Sequence, residues 1–365
     1  MRKMRLACAA LLICLLKLGC SPLPETGEET PVPVAAPADT IAPSPPAPAA
    51  SPTETTWMSA EAQAYLDAAM DLIQEHSIKR DQVDWESLRG RARGQARDAQ
   101  TTADTHPAIE FVLRALGDFH SFFLPPEQAV ALQTGSLMKG LPGPEGKPIG
   151  EDLAYLSLPA FAGSREAGEA YASGVQGLIR ALDAAAPCGW IVDLRENGGG
   201  DFWPMLAGVG PLLGTGRVGA FAGLDDPPVP WTYRDGEARE GKTAQIRLPA
   251  SEVYHLDHSM PPVAVLVGEK TASSGEAAAI AFRGRPDTRS FGQATVGLTT
   301  GNEPFVLSDG GQIFLAVSRF ADREGHMVEG PLTPDELVSP GPPGEDPALE
   351  AASAWLRSQP TCAGP

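Results

Sequence analysis

Positive charge is scarce in this chain of 365 residues: 28 lysines and arginines stand against 46 acids, a formal net charge of −18. Residues 1–19 hold four of the basic residues and no acid, so the remainder is more acidic still. That balance excludes a nucleic-acid partner and an electrostatic hold on anionic lipid. Cysteine is nearly absent after the first 20 positions, where Cys188 and Cys362 stand alone with no CxxC or Cys/His cluster, so no metal site and no cofactor is expected. H-E-x-x-H, the phosphate-binding loop and the dinucleotide fingerprint are missing, as is the G-x-S-x-G elbow. Ser136-Leu137-Met138-Lys139 matches S-x-x-K by spacing only, without its partner motifs. The longest apolar run, Leu6 to Leu16, is too short to span a bilayer.

That run follows the basic segment MRKMR and precedes Leu18-Gly19-Cys20, so residues 1–20 read as a signal peptide. Cys20 sits where bacterial lipoproteins are cleaved and acylated, and Ser21 behind it favours the outer membrane, periplasmic side, over the inner. Plain secretion to the periplasm is the alternative. Residues 21–56 contain ten prolines, five acids, no basic residue and no aromatic, the composition of a disordered tether. In an oxidising envelope Cys188 and Cys362 form a disulfide or remain two buried thiols.

Folded sequence begins near Trp57. Tyr65, Leu66, Ala69, Leu72 and Ile73 share one helical face, and Ile109, Val112, Leu113 and Leu116 another, giving a helical subdomain over residues 57–130. The next 30 residues, with GLPGPEGKPIG, read as loop. From Leu153 strands and helices alternate: strand Leu153 to Leu158, a helix through Tyr171, Val175, Leu178, Ile179 and Leu182, strand Gly189 to Leu194. Residues 214–260 hold short strands between Gly, Asp and Pro. Gln312 to Val317 is a further strand, and a helix from Ala348 to Leu356 opens a closing segment, 346–365. The alternation predicts an α/β core over residues 150–345.

The chain is organised around Pro262 to Thr300. PVAVLVGEK reads as a buried strand, and TASSGEAAAIAFRG as the turn into an alanine-rich helix. Ser273 and Ser274 therefore sit at a helix N-terminus, where they serve as caps or, with converging backbone N–H groups, as a nucleophile beside an oxyanion hole. In the second sense TASSGE, followed by GQATVG, resembles the S41 family of tail-specific, or C-terminal-processing, serine peptidases. Trp190 to Asp201 (WIVDLRENGGGD) and Gly325 to Val338 (GHMVEGPLTPDELV) resemble two further blocks of that family, in the same order.

The resemblance implies a ClpP/crotonase-like spiral of ββα units and a nucleophile three residues before a glutamate, hence Ser273 with Glu276. It places Gly199, Gly200 and the amide of Ser274 as oxyanion donors. The family's lysine after T-F-G is replaced here: the block reads Thr295-Val296-Gly297-Leu298. A base must come from elsewhere, and Gly117 to Phe123 contains D-F-H-S, which is similar to an element from which the tricorn-like branch draws a histidine. His120 is thus the candidate base, with Glu329 or Glu276 orienting it, Asp118 as a turn residue and Ser121 as a helper. Lys270 lies close in sequence but is poorly placed. An unperturbed histidine base, near pKa 6.5, gives activity rising through about pH 6–7. His120 to Tyr155 is too short for the PDZ domain of many members. Two functions follow: an envelope endopeptidase acting on periplasmic proteins or peptides, or a catalytically silent module binding a peptide or apolar ligand.

Overall fold

The computed structural model describes residues 58–136, 139–258 and 260–362. The expected signal peptide, Cys20 and the tether lie outside them. No described helix is long and apolar enough to cross a membrane.

The N-terminal helices are α1 (Ala60–His76), α2 (Trp85–Gln95) and α3 (His106–Leu116). Ser59 caps α1 by accepting the Ala62 N–H, Asp84 caps α2 through the Ser87 N–H, and α3 stops at Gly117, whose φ of 71° suits glycine. The two apolar faces meet as expected, with Leu66, Ile73, Ile109, Val112 and Leu113 buried in one cluster. Then come β1 (Phe122–Leu124), α4 (Pro126–Gln133), β2 (Glu145–Ile149) and β3 (Leu153–Ser157). The stretch expected to be loop thus holds a helix and a strand. β2 is an edge strand paired antiparallel to β3, which explains its concealment: an edge tolerates Pro148 and Gly146 where a central strand does not. His106 is largely covered. Its Nε2 lies 3.0 Å from Asp309 Oδ2, while Tyr65 Oη donates to Asp309 Oδ1 at 2.8 Å, tying α1 and α3 to one turn of the core.

The core continues with α5 (Arg165–Asp183), β4 (Gly189–Asp193), α6 (Phe202–Leu213), and the meander β5 (Gly216–Ala222), β6 (Val229–Arg234), β7 (Glu237–Glu240), β8 (Thr243–Arg247). It closes with β9 (Val263–Val267), α7 (Ser274–Phe282), β10 (Thr288–Gly292), β11 (Thr300–Val306), β12 (Gln312–Ala321), β13 (Met327–Val328), β14 (Glu336–Leu337) and α8 (Pro347–Arg357). One sheet runs β14-β10-β9-β4-β3-β2, parallel except for β2, and the other runs β1-β12-β5-β6-β7-β8, with β11 and β13 also on β12. This is the expected α/β class with a helical N-terminal subdomain. β2–β3–α5 is a complete ββα unit, and the antiparallel meander fills out the later turns of the spiral.

Both faces of the parallel sheet are covered, so its strands are apolar throughout. Val263, Val265 and Val267 face α5, α6 and α7, while Ala264 and Leu266 face α8, through Ala352 and Leu356. Trp190 and Ile191 divide in the same way. Cys188 and Cys362 are joined as a disulfide, Cα to Cα 4.9 Å, fixing the tail beyond α8 to the start of β4. Arg195 adds a second tie, donating to Asp193 at 2.6 Å and to the α8 cap Asp346 at 2.7 Å.

Candidate active site

β9 delivers the chain to the turn Gly268–Ala272, which is locked to the glycine-rich block beside it. Thr271 Oγ1 donates to the Leu194 carbonyl at 2.8 Å, and the Ala272 N–H to the Asn197 carbonyl at 3.0 Å. Asn197 is fully buried: its Nδ2 donates to the Leu158 carbonyl at 2.8 Å and its Oδ1 accepts the Gly199 N–H at 3.0 Å. The two blocks pack so closely that a Cβ on Gly275 would stand 2.3 Å from the Asn197 carbonyl, and one on Gly200 1.9 Å from the Phe161 carbonyl. Neither position admits another residue without the backbone moving.

Ser273 follows with φ 53° and ψ −118°, a conformation that non-glycine residues avoid. The Glu276 carboxylate holds it there by accepting the Ser273 N–H at 2.8 Å. Glu276 also accepts the N–H groups of Gly297 and Leu298, both at 2.8 Å, and the Thr295 hydroxyl, so it staples the Ser273 turn to the segment before β11. Burial pushes its pKa up, against these four hydrogen bonds. Glu276 is fully committed and makes no contact with His120.

His120 and Ser273, 153 residues apart in sequence, meet: His120 Nε2 lies 3.0 Å from Ser273 Oγ. On its other side Nδ1 lies 2.6 Å from Thr300 Oγ1, a residue that sequence reasoning missed. With a proton on Nδ1 donated to Thr300, Nε2 is left to accept from the serine. The histidine's backbone is clamped as well. Asp118 Oδ1 accepts the N–H groups of His120 at 2.9 Å and Ser121 at 2.8 Å, and Asn302 Nδ2 donates to the His120 carbonyl at 2.7 Å. Ser121 does not reach the ring. Its hydroxyl donates to Asp118 and accepts the Ala316 N–H, which fixes the turn to β12.

His120 is 2 % exposed, and burial pushes its pKa down to about 3. The expected activity rise through pH 6–7 is therefore displaced to lower pH, and among the described residues no carboxylate is bonded to the ring to stabilise an imidazolium. Glu329 does not supply one. Its side chain is 73 % exposed and paired with Arg319 at 3.1 Å. Arg319 is the cross-strand neighbour of Thr300, so Glu329 pairs one residue away from the ring's partner and not with the ring.

Of the three expected oxyanion donors, the Gly199 N–H is already given to Asn197. Phe161 bonds to the Gly199 carbonyl and the Asp201 N–H, which turns Gly200 toward α7, where its carbonyl accepts Ser274 Oγ at 2.6 Å. The amides of Gly200 and Ser274 remain, beside the helix N-terminus. Asp201, which caps α6 through the Trp203 N–H, is held by burial near pKa 7. Leu298 is 7 % exposed and offers no base, and Lys270 is paired with Glu196 at 2.8 Å. Among the described residues no group of three or more His, Cys, Asp or Glu is arranged to hold a metal.

Residues 152–338 match the family model of peptidase family S41. The chain is 26% identical over 298 residues to the nisin-resistance protein of Lactococcus lactis subsp. lactis, covering 81% of this chain and 87% of that protein. It is 26% identical over 190 residues to a carboxyl-terminal-processing protease of Synechocystis sp., covering 52% and 38%. Among solved structures, a lipoprotein from Streptococcus agalactiae superposes with a TM-score of 0.66 at 24% identity, over 82% of this chain and 98% of that one. A photosystem II D1 C-terminal processing protease gives 0.54 at 17%, over 83% and 99%. At these identities the structural likeness speaks for the fold.

Proposed function

The chain belongs to peptidase family S41, and on that premise we propose that it is a serine-type endopeptidase of the cell envelope that hydrolyses proteins or peptides. Ser273 is the nucleophile and His120 its general base. Thr300 orients the imidazole, and the amides of Gly200 and Ser274 receive the oxyanion. The observation that carries this reading is the 3.0 Å approach of His120 Nε2 to Ser273 Oγ, with the serine held at φ 53°. Strained backbone of this kind persists where function demands it.

The steps follow from the geometry. Ser273 Oγ attacks the scissile carbonyl carbon while His120 Nε2 takes its proton, and the carbonyl oxygen takes up negative charge against the two amides. The C–N bond then breaks, the proton passes from Nε2 to the departing amine, and an acyl-enzyme remains on Ser273. Water, deprotonated by the same nitrogen, releases the acyl group. In this scheme Glu276 shapes the turn and Glu329 takes no part.

For localisation, the relatives include a protein named for nisin resistance and a lipoprotein. With Leu18-Gly19-Cys20 they support attachment to the membrane through an acylated Cys20, and the outer membrane is our reading from Ser21. Residues 21–56, read from their composition as a tether, would then stand ahead of a helical subdomain (57–130), the peptidase core (150–345) and the C-terminal segment (346–365).

The second reading is a silent module that binds a peptide or apolar ligand. Leu298 in the lysine's place and a threonine where a carboxylate usually stands favour it. Labelling by a fluorophosphonate separates the two. The enzyme reading requires covalent labelling of the wild type and none of Ser273→Ala; absence of labelling in both gives the silent module the argument.

A further inference from the structure

Phe119 is 84 % exposed and has a φ of 56°, the left-handed region. Each property is unusual for phenylalanine, and they add. The turn it occupies is made by Asp118 and needs only a residue that tolerates positive φ, for which glycine or asparagine serves without strain. The fold gains nothing from an aromatic ring at this point, since the ring is in solvent. What the position has is its neighbour, His120. A second exposed apolar residue, Val296, 41 % exposed, donates its N–H at 3.0 Å to the carbonyl of Thr271, two residues before Ser273.

The reaction assigns a direction to this surface. His120 Nε2 must hand its proton to the departing amine, so that nitrogen comes within about 3 Å of the ring. The Cα of Phe119 is about 3.8 Å from that of His120 across a trans peptide. The polypeptide attached to the departing nitrogen leaves on the His120 side of the scissile bond, and Phe119 is the exposed side chain next to His120 in the chain. The geometry points to Phe119 as a specificity-determining residue that takes an apolar side chain of the substrate on the leaving-group side of the scissile bond. This rests on the peptidase reading above and goes beyond it by naming the substrate chemistry.

The test uses two quenched fluorescent peptides that differ only in the residue after the scissile bond, leucine in one and serine in the other. Wild type should favour the leucine peptide by about tenfold in kcat/KM, the size of a modest apolar contact. Phe119→Asn, which keeps the turn, should bring the ratio within about twofold, and Phe119→Trp should preserve it. No preference in wild type, an unchanged ratio in Phe119→Asn, or equal losses on both peptides would overturn the assignment. If wild type cleaves neither peptide and Ser273 takes no fluorophosphonate, the peptidase reading falls and this one with it. Labelling and cleavage without the preference refute only the role of Phe119.

Discussion

His120 Nδ1 lies 2.6 Å from Thr300 Oγ1, so the ring is oriented by a neutral hydroxyl. A carboxylate in that place would both orient the imidazole and stabilise its cation, whereas threonine does the first and contributes little to the second. Thr300→Val removes the acceptor and keeps the shape. It should lower kcat by about 10- to 100-fold, while Thr300→Ser retains most activity. Ser273→Ala and His120→Ala should each abolish turnover, with little further loss in the double variant, because the two act as one unit. Glu329→Gln should change kcat by less than about twofold, as fits an exposed ion pair. A large effect of Glu329→Gln would return it to the relay.

The burial of His120 has consequences in pH. Its folded pKa, about 3, lies below the ordinary 6.5, so below pH 6.5 the unfolded chain binds a proton that the folded one does not. Stability therefore falls as pH drops from 6.5 toward 3, by at most about 1.4 kcal/mol per unit from this group. His120→Asn, with no proton to bind, should flatten that part of the denaturation-midpoint profile. In activity, kcat/KM should not drop between pH 7 and 5.5 on account of the base. A drop centred at 6.5 that His120 accounts for would show the ring to be more hydrated than the structure has it.

Glu276 and Gly275 test how the nucleophile is held. Glu276→Gln replaces two acceptor oxygens that receive four donors with an amide offering one oxygen, so a buried N–H or hydroxyl loses its partner. A loss of about 2–4 kcal/mol in unfolding free energy is expected, with activity lowered through the turn. Gly275→Ala sets a methyl 2.3 Å from the Asn197 carbonyl and should remove activity even where the protein still folds. Wild-type turnover in Gly275→Ala would mean the two blocks pack less tightly than the structure shows.

The meeting of Ser273 and His120 was legible because each lies in a short motif whose chemistry leaves few alternatives. Thr300 was not: a hydroxyl at the start of a strand carries no local signal, and only the pairing of β11 with β12 carries it to the ring. Glu329 and Ser121 were misplaced for the same reason, since sequence spacing gave their neighbourhood and not their orientation. Asn197 stood inside the recognised block, yet its use of both amide ends to hold two loops shows only in three dimensions. In the fold, β2 escaped because glycine and proline at an edge strand read as loop. The apolar strands β4 and β9 were plain because both of their faces are buried.

The disulfide gives a prediction about stability. Cys188 and Cys362 are 174 residues apart, and their bond closes a loop that contains most of the core. Constraining so long a loop in the unfolded chain is worth about 5 kcal/mol on a chain-entropy estimate. The denatured, unreduced protein should show neither cysteine as a free thiol, and Cys188→Ser/Cys362→Ser should lower the melting temperature by several degrees. The site lies elsewhere, so kcat at 25 °C should stay within about twofold of wild type; Arg195 still ties β4 to the start of α8 through Asp346.

Asp201 offers a sharper test of the oxyanion hole. Burial holds its pKa near 7, and it follows Gly200, whose amide is one proposed donor. Above pH 7 the carboxyl ionises and sets a negative charge next to the place where the transition state develops its own. Like charges repel strongly where water is scarce, and about 1.4 kcal/mol of repulsion in the transition state is a tenfold effect on rate. The kcat of the wild type should therefore fall as pH rises through about 7. Asp201→Asn, which retains the capping oxygen for the Trp203 N–H, should remain flat from pH 6 to 9. If Asp201→Asn shows the same decline as wild type, the carboxylate does not face the hole, and the alkaline limb belongs to another group.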